Sequence, residues 1–104
     1  MMDSYKILLV CSGGMSTSVL MNKMKKYAEE HNITLSVDAC GTTQYLDEAG
    51  DYSIILLGPQ IAYRKKQIAD SVDIPVVGIK PQDYAFGNVE NILREVDACL
   101  QEGA

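Results

Sequence analysis

Apolar and polar positions along the chain fall into blocks whose period switches repeatedly between that of a strand and that of a helix. Residues 5–10 end in the unbroken apolar run Ile7 to Val10 and predict a strand buried on both faces. Residues 16–30 carry Leu20, Met24 and Ala28 at helical spacing. Ile33, Leu35, Val37 and Ala39 alternate with polar residues, as in a half-covered strand, and Gly41-Thr42-Thr43 offers a turn and a helix cap before a short helix over 43–49. The apolar run SIILLG, 53–58, predicts a third strand. After Pro59, residues 60–71 have an amphipathic period through Ile61, Arg64/Lys65 and Ile68. Ile74-Pro75 leads into a fourth strand, VVGI, 76–79. The turn-rich KPQDYAFG, 80–87, reads as a loop, and Val89, Ile92, Leu93, Val96 and Leu100 mark one face of a last helix over 89–101.

Strict alternation of strand and helix predicts an α/β fold: four parallel strands, doubly wound, because each right-handed crossover lays its helix back over the sheet. Ligands of such sheets collect at the carboxyl ends of the strands where strand order reverses, and the end of the first strand usually borders that point. Cys11 stands there.

With 104 residues, 47% of them hydrophobic and 22% charged, the chain is expected to form one domain over 1–104. No apolar run approaches the roughly 20 residues that cross a bilayer. The start MMDSYK has neither a charged lead into a longer apolar stretch nor a small-residue cleavage site, so a cytoplasmic protein without membrane insertion is expected. Three cysteines with no CxxC pair, and a single histidine, argue for free thiols and against a disulfide scaffold or a metal site. A net charge of −5 disfavours nucleic acid as a partner, and the basic run YRKK, 63–66, reads as a solvated helix face.

The stretch KILLVCSGGMSTSVLMNKM, 6–24, carries the candidate chemistry. A loop entering a helix N-terminus offers unpaired backbone N–H groups and a partial positive charge, and so favours an anion. Gly13 and Gly14 let the backbone curl inwards, and Ser12, Ser16, Thr17 and Ser18 add hydroxyl donors. The same field favours thiolate over thiol. Cys11 therefore reads as nucleophile and phosphoryl acceptor rather than as a small core residue. Cys40 and Cys99 lack such a loop and read as packing residues, and His31 as a surface residue ending the first helix. The glycine-rich nucleotide loops are absent: no Lys-Ser/Thr follows the glycines and no G-x-G-x-x-G occurs. At the end of the third strand, where a receiver domain needs an acid, the chain has Leu57-Gly58.

This stretch, with SIILLGPQIAYRKKQI and PVVGIKPQDYAFGNVENIL, resembles the IIB components of the lactose/cellobiose/chitobiose class of bacterial sugar phosphotransferase systems (PTS) over nearly the whole chain. The resemblance implies a cytoplasmic phosphoryl carrier without cofactor. A phosphohistidine on the IIA protein donates to the loop cysteine, which passes the phosphoryl group to a disaccharide bound by the membrane permease IIC. It assigns the nucleophile to Cys11 and the phosphate-binding loop to Ser12, Gly13, Gly14, Met15, Ser16, Thr17 and Ser18, with Pro59, Gln60 and Tyr84 bordering the site. The implied fold is flavodoxin-like and shared with low-molecular-weight tyrosine phosphatases, whose Cys-x5-Arg loop clamps the phosphoryl group with arginine. Thr17 stands at that arginine's position. A phosphatase or arsenate reductase would use the same Cys11, with Asp83 as its general acid, but lacks the arginine. A non-catalytic regulatory module would leave Cys11 inert.

Overall fold

The computed structural model describes residues 4–11 and 16–102, with the backbone alone for 16, 17, 101 and 102. Four strands, β1 (Ser4–Val10), β2 (Thr34–Cys40), β3 (Ile54–Leu57) and β4 (Val76–Gly78), form one parallel sheet in the order β2-β1-β3-β4. Between and after them lie α1 (Ser16–Glu30), α2 (Tyr45–Glu48), α3 (Lys65–Asp70), α4 (Pro81–Phe86) and α5 (Val89–Glu102). The central strands β1 and β3 are covered on both faces, which is why their sequences are unbroken apolar runs.

One face of the sheet, Tyr5, Ile7, Leu9, Ile54 and Leu56, packs against Leu20 and Met24 of α1 and Val89, Ile92, Leu93 and Val96 of α5. The other, Leu8, Val10, Ile55 and Leu57, packs against Tyr45, Ala49, Ile61 and Ile68. These two layers are the doubly wound arrangement the alternation predicts. Tyr5 Oη donates to Asp97 Oδ1 at 2.7 Å, fixing the C-terminal half of α5 to the amino end of β1. Helix α1 stops at a left-handed Asn32 (φ 56°), with the Ile33 N–H returned to Ala28 O at 2.8 Å. His31 is exposed and stacks on Tyr27 with ring centroids 4.1 Å apart.

Four local expectations are corrected. The segment 80–87 is not a loop but mostly helix: Pro81 occupies its first turn, and Gly87 (φ 62°, ψ 43°) closes it by donating to Asp83 O and Tyr84 O. Proline and glycine bracket a six-residue helix here, a use of these residues that looks like a turn in sequence. The helix expected over 60–71 is split into a 3-10 turn, Pro59–Arg64, kinked at Ile61 (φ −122°), and α3. The short second helix starts at Tyr45 with Gln44 at its cap and no side-chain capping bond, and runs on as a 3-10 turn over Ala49–Asp51. In β2, Ala39 is exposed and Cys40 is buried, because Cys40 lies opposite Val10, where the second layer covers the sheet.

Candidate functional site

The chain runs from β1 outwards to β2 and then crosses back to β3, so strand order reverses beside β1 and opens a crevice at the carboxyl end of the sheet. Cys11 prolongs β1 into that crevice. Its N–H donates to Cys40 O at 3.2 Å, and the Gly58 N–H donates to Val10 O at 3.0 Å, so the ends of β2, β1 and β3 are held level. The Cys11 side chain is buried, and α1 begins at Ser16. Of the expected loop, Ser12, Gly13, Gly14 and Met15 lie outside the described residues. Ser16 and Thr17 open α1, and Ser18 is exposed in its first turn.

The bordering residues converge on Gly58. A Cβ placed there would lie 2.8 Å from Gln60 Oε1, 3.3 Å from Cys11 Cβ and 3.9 Å from Tyr84 Cε2. Gln60 and Tyr84 therefore reach the point that Cys11 flanks, one from the turn after β3 and the other from α4. Pro59, half-buried, starts the 3-10 turn that carries Gln60. Asp83 takes a different direction. Its side chain is buried, and its Oδ1 accepts from Asn91 Nδ2 of α5 at 3.4 Å. Tyr84, not Asp83, is the α4 residue that meets Gly58. The sequence marks neither the helix that turns these neighbours apart nor the contribution of Gly58.

The other thiols differ in setting. Cys40 is buried among Leu8, Val10 and Tyr45; burial first, then the Glu48 carboxylate and its hydrogen bond, push the thiol up to about 12. Cys99 is half-buried on α5, two residues beyond the Asp97 tie to the amino end of β1. Seven residues of β1 separate that end from Cys11, about 20 Å at the rise of a strand. All three cysteines are free of disulfides. Among the described residues, no three His, Cys, Asp or Glu side chains gather as metal ligands, and no helix is long and apolar enough to cross a membrane.

A four-stranded parallel sheet in the order β2-β1-β3-β4, covered by helices on both faces and with a free cysteine after its first strand, defines a small doubly wound α/β class. Comparison with known proteins narrows the class. Residues 6–95 match the family model of the PTS lactose/cellobiose-specific IIB subunit. The galactose-specific EIIB component of Lactococcus lactis subsp. cremoris is 38% identical over 103 residues, covering 90% of this chain and 94% of its own. The solution structure of the cellobiose-specific phosphotransferase IIB component from Borrelia burgdorferi is 32% identical, with a TM-score of 0.78 and coverage of 95% and 94%. The lactose-specific EIICB component of Staphylococcus epidermidis is 30% identical over 99 residues, which are 95% of this chain and 17% of that longer protein. The chain belongs to the lactose/cellobiose-specific IIB family of the sugar phosphotransferase system. It is a phosphotransferase component of sugar uptake.

Proposed function

We propose that Cys11 carries the phosphoryl group between a IIA phosphohistidine and a disaccharide presented by IIC, in the cytoplasm. The observation that carries this reading is the placement of Cys11 at the carboxyl end of a central strand, in the crevice where strand order reverses and before the N-terminus of α1. In the first step the sulfur attacks phosphorus, an S–P bond forms as the N–P bond of the donor breaks, and the thiol proton ends on the departing imidazole. In the second, a sugar hydroxyl attacks, the O–P bond forms as S–P breaks, and the hydroxyl proton ends on sulfur. Both displacements need their partners in line with the same sulfur.

The settings of the other thiols support the assignment, since Cys40 is held as a protonated thiol and Cys99 lies toward the other end of the sheet. The fusion of IIB and IIC named in the staphylococcal relative supports a IIC partner. The three relatives are named for galactose, cellobiose and lactose at similar identities, which supports placing sugar selection in the permease. The test is phosphorylation by the IIA partner followed by peptide mass spectrometry. The label should fall on Cys11, Cys11→Ser should abolish sugar phosphorylation, and Cys40→Ser and Cys99→Ser should retain it. A phosphoryl group on Cys40, Cys99 or His31 sinks the assignment.

A further inference from the structure

We propose that Gln60 is a phosphoryl-binding residue: its carboxamide donates a hydrogen bond to an oxygen of the phosphoryl group on Cys11, and position 58 is glycine to leave that carboxamide its place. The inference rests on the reading of Cys11 as acceptor and deepens it.

Four observations carry it. Gly58 has φ −62° and ψ 152°, extended backbone that any residue adopts, so conformation does not call for glycine there. A Cβ would instead crowd the site, falling 3.3 Å from Cys11 Cβ and 2.8 Å from Gln60 Oε1, whose side chain would have to swing aside. Gln60 is an exposed residue, yet its side chain turns back over Gly58 towards the cysteine. No described residue holds its carboxamide there by a hydrogen bond, so its donors are open to a ligand.

Its backbone is nevertheless fixed. Pro59 precedes it with a locked φ, buried Ile61 follows it, and the Ile61 N–H closes the turn on Gly58 O at 3.1 Å. A neutral carboxamide therefore lies over Gly58 on the side of the Cys11 β-carbon, and the loop from Cys11 to Ser18 contains no lysine or arginine. A carboxamide N–H bonds a phosphoryl oxygen without adding positive charge. Either end of the carboxamide can be turned to the ligand, the oxygen and nitrogen being related by a flip.

The experiment uses the full chain with its IIA partner. On phosphorylation, the side-chain NH2 signals of Gln60 should shift in a 1H–15N spectrum, which a purely structural residue would not show. Gln60→Ala should slow acceptance of the phosphoryl group by roughly 10- to 100-fold, the worth of one hydrogen bond to a charged oxygen. Gln60→Glu, of the same shape but with two acceptors and a negative charge, should be slower than Gln60→Ala. Gly58→Ala should displace the carboxamide and match Gln60→Ala in its 31P shift. Unmoved Gln60 signals, or wild-type acceptance rates in both Gln60 variants, overturn the inference while leaving Cys11 as acceptor. Phosphorylation that persists in Cys11→Ser overturns the acceptor reading instead.

Discussion

Alkaline pH should weaken the fold through Cys40, and the loss can be worked from its surroundings. Cys40 ends β2 with 8% of its surface exposed, inside the layer formed by Leu8, Val10 and Tyr45. Desolvation, followed by the Glu48 carboxylate, raises its thiol from 9.0 to about 12. The unfolded chain therefore releases this proton near pH 9, whereas the folded chain keeps it until about 12. Across that window the unfolded state binds fewer protons, so stability is intact below about pH 9 and falls as pH rises. Between pH 8 and 10 one such proton removes about 1.4 kcal/mol. That is a sizeable part of the roughly 5–15 kcal/mol of a typical domain.

The assay is urea unfolding at pH 8, 9 and 10 in reducing buffer, for the wild type and Cys40→Ala. The alanine leaves a small cavity and lowers stability at every pH, but that offset is the same at each point. Only the slope reports the proton. Tyr52, held up to about 12 mainly by its hydrogen bond to Asp38, begins to contribute near pH 10 from its ordinary value of 10.0, and it contributes equally to both proteins. Wild type should lose about 1.4 kcal/mol more than Cys40→Ala over this range. Parallel pH profiles would refute the buried, protonated thiol, and would reopen Cys40 as a rival nucleophile.

Two further outcomes test the packing that positions the site. Gly87→Ala should cost about 1–2 kcal/mol in urea unfolding, because position 87 is left-handed and a Cβ would meet Lys23 Cδ at 2.5 Å; in a Lys23→Ala background the penalty should shrink to the backbone part. Tyr5→Phe should cost about 1.5 kcal/mol by removing the bond to the Asp97 carboxylate, and should leave phosphoryl transfer unchanged because it acts at the opposite end of β1.

The features legible in the sequence are those set by the largest free-energy terms. Ile7 to Val10 and Ile54 to Leu57 are buried from both sides, so their runs are unbroken; Leu20, Met24 and the apolar face of α5 cover one layer, so their period is clean. Cys11 was legible because topology alone puts the end of β1 at the reversal of strand order. What stayed hidden depends on a few residues at a time. Helix α4 is six residues long, too short to show a period, and its Pro81 and Gly87 are turn residues in most settings. The inward place of Cys40 follows from its register opposite Val10, which no local alternation encodes. The room that glycine leaves at 58 matters only because the fold brings Gln60 Oε1 and Cys11 Cβ against it.

A carrier and a phosphatase that share a fold and a cysteine must differ in how they treat water. A phosphatase loop offers an arginine to spread the charge of the transferring group and an acid to protonate the leaving atom. Here Thr17 stands at the arginine's position, and the one candidate acid, Asp83, is turned into the contact with Asn91 of α5. Both parts that would speed hydrolysis are therefore missing from their places. What meets the Cys11 side of Gly58 is a carboxamide and an aromatic ring edge, Gln60 and Tyr84. On the proposed reading, such walls would orient a phosphoryl group without adding positive charge to it. On the proposed reading, a bond from sulfur to phosphorus formed in this crevice would be left to the nucleophile that a docked partner brings, which is the property a relay needs and a hydrolase must avoid.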